Sequence, residues 1–405
     1  MKRRSAIFPV FLILNLTLIK CIDPFNPKLD KYQSLLVVDA LLTDEEVPGY
    51  VKLSRTSVTP DEAPPPVTGA RVSITDDLGN NTSLSEVSDG IYKTDSLDFR
   101  GVTGREYILK IYTKDGKEYE SEPGMLYKAR DIDTIYFGKE SQTMDNGEVQ
   151  DGITIYIDSK GPTENKYFRL AYEEWWKFNI PYPVTHKYVD EDHIYEIPIE
   201  NVTCYKNRRS DEVIIHLRDP EINAEFIKSP ICFIASEKSD RLLIQYGIQV
   251  SQYAISEKEY EFWRLMKEMN GSGGDIFDKQ PFQIISNIHC VSDPGEKVLG
   301  YFQVCGINKK MIYIKGSEIA AMGLKPYHYV CDVVMKGPQD YLASEQHPVT
   351  FDRIYKNYAI QDYNFIAPLY VIPNILDRLV FVDKYCSDCT RNGSPYKPDF
   401  WVDLE

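Results

Sequence analysis

Cys21 is the residue with the most clearly defined chemistry in this 405-residue chain. It follows a basic start and an apolar run at 6–19, the layout of a secretory signal and too short to span a bilayer comfortably. A cysteine at this place is typical of a bacterial lipobox, in which the thiol forms a thioether to diacylglycerol. We predict a signal peptide at 1–20, lipidation of Cys21 and a lipid-anchored linker at 21–33. Lys20 departs from the small residue usual there, and the alternative is an ordinary cysteine near the cleavage site.

Seven further cysteines all lie in the second half of the chain, namely Cys204, Cys232, Cys290, Cys305, Cys331, Cys386 and Cys389. In an oxidising compartment these seven cysteines can form up to three disulfides and leave one free thiol. The sequence does not determine which cysteines pair. Cys386 and Cys389 have the spacing of a redox motif, but no strand followed by a helix surrounds them. We interpret them as a disulfide staple of the C-terminal tail, with redox chemistry or metal binding as alternatives.

Aromatic residues are concentrated between positions 172 and 195, and the candidate binding residues are Trp175, Trp176, Tyr182 and Tyr188. Adjacent tryptophans on a strand point to opposite faces, so one fills a core while the other is exposed. An exposed tryptophan beside tyrosines offers stacking area for a glycan or small ligand, or an anchor for a protein partner. The alternative is that both tryptophans pack in the core of a curved sheet.

Other chemistry is weakly supported by the sequence. The glycine-rich run at 271–274 lacks the lysine and hydroxyl pair of a phosphate loop and follows a helical pattern, so we interpret it as a connector. His186 and His193 flank an acidic run at 190–192 that resembles a metal shell, but a solvated turn is the simpler interpretation. We therefore predict no catalytic residue, no metal and no cofactor.

The candidate cysteines and aromatic residues lie in a chain whose sequence consists largely of short strand-like runs separated by turn residues. Asp115–Gly116 between two alternating runs is a strong hairpin signal, because glycine tolerates the positive φ of a primed turn. The spacing of the runs predicts a mainly β protein, with an N-terminal immunoglobulin-like β-sandwich at 34–127. Longer alternating strands follow, which predict a larger antiparallel β domain at 128–405.

One prominent helix is predicted at about 256–270. Ser256 and Glu259 form a capping-box pattern, and Gly271 occupies the position that commonly ends a helix. Its apolar face is expected to pack on a sheet and to contain Tyr260, Trp263, Met266 and Met269.

The net charge of the mature protein limits the kinds of molecule that it can bind. Removal of residues 1–20 takes four of the 46 basic residues and none of the 61 acidic ones, which leaves a net charge of −19. Such a surface repels nucleic acid and anionic lipid, so no nucleic-acid partner is expected.

Several segments spread along the chain resemble one family of Bacteroidota lipoproteins, the domain of unknown function 4249. They are CIDPFNP, LLVVDALLTDE, VKLSRT, QYAISEKEYEFW, IFDKQPFQIISNI, VLGYFQV and CSDCTRNGSPYKPDFW. This resemblance implies a lipoprotein anchored in the outer membrane, often encoded near TonB-dependent receptors, with no established activity.

The sequence and the resemblance together predict a non-catalytic outer-membrane lipoprotein that serves a TonB-dependent transporter as an accessory or substrate-capture partner. The membrane face is left open. An envelope enzyme such as a hydrolase, and a structural or adhesion protein of the cell surface, are the alternatives.

Overall fold

The computed structural model describes residues 34–404 except 58, 60–61, 95–98, 160–164, 219–225, 272–285, 326, 328, 341–348, 362 and 373–374. The first eight strands are β1 Leu36–Thr43, β2 Tyr50–Arg55, β3 Arg71–Asp76, β4 Asn81–Ser88, β5 Ile91–Thr94, β6 Glu106–Tyr112, β7 Glu118–Ser121 and β8 Gly124–Met125. The strands that follow are longer, and they are β9 Thr134–Thr143, β10 Val149–Ser159, β11 Tyr167–Asn179, β12 His186–Asp190, β13 His193–Glu196, β14 Thr203–Arg209, β15 Ile214–Leu217, β16 Phe226–Ala235 and β17 Gln245–Ile255.

The last third of the chain mixes strands and short helices. Its strands are β18 Ile288–Cys290, β19 Val298–Lys315, β20 Val333–Lys336, β21 Tyr363–Ile372 and β22 Ile375–Asp383. The α-helices are α1 Glu257–Gly271, α2 Gly316–Ala321, α3 Phe351–Ile360 and α4 Lys384–Ser387, and short 3₁₀ turns occur at Asp240–Leu242, Pro338–Asp340 and Cys389–Arg391.

Fourteen strands form one continuous sheet in the order β14-β11-β17-β19-β1-β2-β5-β4-β3-β6-β7-β18, with β15 paired to β11 and β8 to β6. Three smaller sheets have the orders β16-β10-β9, β12-β13 and β20-β22-β21. The prediction of a mainly β protein with one prominent helix is confirmed.

The N-terminal strands follow the order of an immunoglobulin-like sandwich. The run β1-β2-β5-β4 corresponds to one sheet of that fold and β3-β6-β7 to the other, and β4 pairs with both β5 and β3. Asp115–Gly116 turns the chain between β6 and β7, and Gly116 has the positive φ of 85° that the hairpin signal requires.

Strands from much later in the chain complete the N-terminal core. Leu36, Leu53 and Ile74 are fully buried there, and they share one apolar cluster with Ile288 of β18 and Phe302 of β19. Residues 34–127 therefore supply most of this core but do not close it alone.

Strand β19 joins the two halves of the molecule. Its first half runs parallel to β1, and its second half, from Gly306, runs antiparallel to β17. At Gly300, where φ is +90°, a Cβ atom would lie 1.9 Å from the carbonyl oxygen of Val38. Only glycine permits this close approach of β19 to β1.

Helix α1 begins where the sequence predicts, with the Glu259 amide donating to Ser256 Oγ at 3.1 Å. The predicted apolar face needs one correction. Phe262 and Glu259 are its most buried residues, whereas Met269 is 40% exposed. The Phe262 ring packs 4.8 Å from that of Tyr301, which attaches the helix to β19.

Candidate functional site

The C-terminal tail is held to the rest of the protein by two disulfides. Cys204 of β14 bonds to Cys389, and Cys331 bonds to Cys386. Cys386 and Cys389 therefore both form disulfides, but the idea that they close one bond with each other is wrong. The physical reason is that α4 and the following 3₁₀ turn direct the two side chains toward different partners, Cys331 just before β20 and Cys204 in β14.

Three cysteines keep free thiols, namely Cys232, Cys290 and Cys305. The last seven cysteines therefore form two disulfides, within the predicted limit of three, and leave three free thiols instead of one. Burial raises the pKa of the Cys232 thiol to about 12, and Glu174 is the next contributor. A thiol with this pKa stays protonated and is a poor nucleophile.

The final residues of the tail lie across the central sheet. Tyr313 OH donates to the carbonyl oxygen of Phe400 at 2.9 Å, and the Gln245 side-chain amide donates to that of Val402 at 2.6 Å. Hydrogen bonds from Lys397 and Lys177 lower the pKa of Asp403 to about 2. The tail is thus an ordered part of this face of the sheet.

An open pocket of about 480 Å³ lies where the tail, β14 and the segment after α2 meet. Its lining residues are Lys206, Lys238, Ser239, Asp240, Tyr327, Tyr329, Val330, Asp383, Tyr385, Cys386 and Asn392. Three tyrosine rings, two lysines and two carboxylates therefore face one space. The disulfide of Cys386 borders the pocket, and fully buried Cys204 lies two positions before Lys206 in β14.

An ion pair forms the inner wall of the pocket. Lys206 Nζ lies 2.7 Å from Asp240 Oδ2 and 4.3 Å from the centre of the Phe178 ring. Tyr329 OH donates to the same carboxylate oxygen at 3.2 Å, and burial together with this carboxylate raises the pKa of Tyr329. Because Asp240 already accepts several hydrogen bonds, it positions the pocket wall and is poorly placed to act as a general base.

A second ionic group lies deeper, on the same strand as the tryptophans. Glu174 is fully buried, and its Oε1 accepts from Arg241 Nη1 at 2.9 Å and from Tyr246 OH at 2.7 Å. Burial alone would lower the pKa of Arg241, but the Glu174 carboxylate outweighs it and raises that pKa. This network fixes the turn at Asp240–Leu242, which carries the inner wall of the pocket.

The two tryptophans lie on opposite faces of β11, as their adjacency predicts. Trp176 is buried, and its Nε1 donates to Asp240 Oδ1 at 3.0 Å. Trp175 is half-buried on the other face, with its ring 4.8 Å from that of Phe400 in the tail. Trp176 therefore supports the pocket from behind, and Trp175 packs under the tail.

The two tyrosines of the predicted aromatic site lie apart from the tryptophans. Tyr182 is 40% exposed, and its amide donates to the carbonyl oxygen of Cys386. Tyr188 is buried against Tyr355 of α3, with its hydroxyl donating to Asp352 at 2.6 Å. Since the four aromatic side chains occupy separate environments, the structure does not bring them together as one binding surface.

The predicted turn between β12 and β13 contains one pair of interacting side chains. His193 Nδ1 lies 2.7 Å from Asp190 Oδ1, and both side chains are exposed. In the described part of the chain, no group of three or more His, Cys, Asp or Glu side chains is placed to hold a metal ion. Within the same residues, no helix is long and apolar enough to cross a bilayer. Cys21 and the linker at 21–33 lie outside them.

The pocket residues were missed by the sequence analysis because they come from distant segments. Lys206 and Asp240 are an ordinary strand lysine and an ordinary turn aspartate when the sequence is read alone. The available signal was indirect. Cys204 and Cys386, close in sequence to Lys206 and Tyr385, mark two segments that a disulfide network could bring together.

The described residues thus define a multi-sheet β protein, in which strand β19 joins an N-terminal β-sandwich to a second β-rich half and an open pocket lies at the C-terminal tail. Residues 22–311 match the family described as Domain of unknown function (DUF4249), and the chain belongs to this family. The match covers most of the chain and ends within β19, before most of the pocket residues. No curated protein matches the chain.

Proposed function

We propose that this protein is a non-catalytic ligand-capture protein of the bacterial envelope. A lipid on Cys21 would hold it on the outer membrane, where it serves a TonB-dependent transporter as an accessory. The observation that carries the proposal is the open pocket of about 480 Å³, a volume within the range of small-molecule sites. The two disulfides support an exported location, because such bonds persist in oxidising compartments.

The lining of the pocket favours a polar ligand with several hydroxyl groups, such as an oligosaccharide. Tyr385 is 56% exposed at the pocket, so its ring is free to stack on a sugar face. Lys238 and Asn392 are further pocket residues with hydrogen-bonding groups. The inner pair of Lys206 and Asp240 is already satisfied internally, which keeps the pocket shape fixed before a ligand binds.

Replacement of Tyr385 by alanine should weaken ligand binding at least about tenfold, since a central aromatic contact of this kind is worth more than about 1.4 kcal/mol. The purified oxidised protein is first screened on an array of bacterial and plant oligosaccharides, and the retained sugars are titrated by calorimetry. Tyr396→Ala is the matched control, because Tyr396 is 82% exposed in the same tail and is not a pocket residue.

Two results would contradict ligand capture at this pocket. One is an array on which no oligosaccharide is retained. The other is equal weakening by Tyr385→Ala and Tyr396→Ala, which would place the sugar elsewhere on the tail.

A further inference from the structure

A second cavity, of about 280 Å³, lies between the first turn of α1 and strands β8 and β19, away from the pocket described above. Its lining combines acidic side chains with aromatic and aliphatic ones, namely Glu106, Glu122, Pro123, Gly124, Met125, Tyr127, Ser256, Glu257, Lys258, Glu259, Asn287, Tyr301, Phe302 and Val304. The cavity is smaller than most drug-sized sites and suits a ligand of modest size.

Glu259 is the buried charged group of this cavity. Its side chain belongs to a residue only 1% exposed, and Oε1 accepts from Trp263 Nε1 at 3.3 Å. Among the described residues, its other carboxylate oxygen has no hydrogen-bond partner. The carboxylate thus bonds to Trp263 instead of returning to Ser256 as in a complete capping box. Because burial disfavours the ionised carboxylate of Glu259, a donor that reaches its free oxygen from the cavity would stabilise it.

Arg169 only partly compensates the charge of Glu259. Burial raises the pKa of Glu259 to about 7, while Arg169 acts in the opposite direction. The Arg169 guanidinium lies over the rings of Tyr253 and Trp263, at 4.2 and 4.7 Å, and donates to Gln303 Oε1 at 3.2 Å. Arg169 is not a lining residue of the cavity, and Lys258, which is one, pairs with Glu122 on the rim.

The rim of the cavity is also acidic. Glu106, Glu122 and Glu257 contribute three carboxylates, and Lys258 Nζ is paired with Glu122 at 2.6 Å. The N-terminus of α1 contributes about half a positive charge. The combined negative charge of the Glu257 and Glu259 carboxylates is larger than this. A cation is therefore attracted to the rim and meets a carboxylate at the inner end.

We propose that this cavity binds a small organic ammonium compound, with the ammonium group on Glu259 and an apolar body against Met125, Tyr301 and Val304. The ammonium donates to the carboxylate oxygen that lacks a partner, and the rings and methyl groups of the wall exclude water from the pair. Binding is non-covalent and independent of the oligosaccharide pocket.

The test is calorimetric titration of the intact oxidised protein with 2-phenylethylammonium at about pH 8, where Glu259 is ionised. We expect saturable binding that Glu259→Gln weakens about tenfold or more, because the variant keeps the shape and loses the charge. Trp263 fluorescence should change on binding to the wild type, since its indole is bonded to Glu259. Glu268→Gln is the matched control, because Glu268 is on the same helix, pairs with Arg264 and is not a cavity residue.

The neutral analogue 2-phenylethanol separates charge recognition from apolar binding. Equal affinity for the alcohol and the ammonium would overturn the proposal, as would absence of binding or an unchanged affinity in Glu259→Gln. Folding of the variant is checked by its thermal midpoint at the same pH. Removal of a buried carboxylate whose pKa is raised should leave that midpoint unchanged or higher, because the ionised form is the less favourable one in the folded state.

Discussion

Replacement of both Cys204 and Cys389 by alanine is expected to lower the free energy of unfolding by about 5 kcal/mol. The disulfide joins residues 185 positions apart, so it strongly restricts the unfolded chain, and the entropy of closing a loop of that length corresponds to about this value. Both cysteines are fully buried, and alanine avoids placing new hydroxyl groups in the core. Chemical denaturation of the oxidised wild type and the variant measures the difference.

The second disulfide supplies the matched control. Cys331 and Cys386 are separated by 55 positions, so their replacement by alanine should lower the free energy of unfolding by a smaller amount, about 4 kcal/mol. Addition of a reductant to the unfolded wild type should abolish both contributions. A loss below about 1 kcal/mol in the Cys204 and Cys389 variant would contradict the pairing, and so would titration of four additional free thiols in the denatured, unreduced protein.

Trp176→Ala is expected to lower the free energy of unfolding by about 4 kcal/mol, since a buried tryptophan leaves a large cavity when it is truncated. The change also removes the donor to Asp240, which stays in the pocket wall with Lys206 and Tyr329. The oligosaccharide affinity of the folded fraction should fall as well, because the wall loses its support from behind. Denaturation and calorimetry measure the two effects.

Trp175 is the matched control on the adjacent position of β11. It is half-buried and contacts Phe400 of the tail, so Trp175→Ala should lower the free energy of unfolding by only about 1 kcal/mol. Equal losses in the two variants would show that the tryptophans do not lie in the distinct environments described above.

Elements whose formation depends on a few neighbouring residues can be predicted from the sequence. The turn at Asp115–Gly116 and the start of α1 at Ser256 depend on a few neighbouring residues, and both form as the sequence indicates. Strand β4 has no comparable local signal, because Asn81–Ser88 has only one buried residue, Leu84, and little apolar alternation. Helix α3 is not among the elements that the sequence predicts, because much of the stability of a ten-residue helix comes from packing on β21 and β22, which local propensity does not reveal.

The long-range features could not be read from local patterns. Cys386 and Cys389 are three positions apart, yet their partners lie 55 and 185 positions away along the chain. Strand β19 contains two apolar runs separated by Asn308, Lys309 and Lys310, and neither run indicates that the two halves pair with different strands in opposite senses. The pocket at the tail is lined by residues from segments far apart in the chain, so its residues could not be predicted from local sequence patterns.

The measurement that tests the proposed function most directly is mass spectrometry of the tagged, full-length protein purified from outer membranes in mild detergent. We predict that a TonB-dependent receptor is recovered with it in about equal molar amount, and that the Cys21→Ala variant, which lacks the acceptor for lipid, recovers much less. Recovery of the wild-type protein alone, with its lipid anchor confirmed on the N-terminal peptide, would contradict the accessory role.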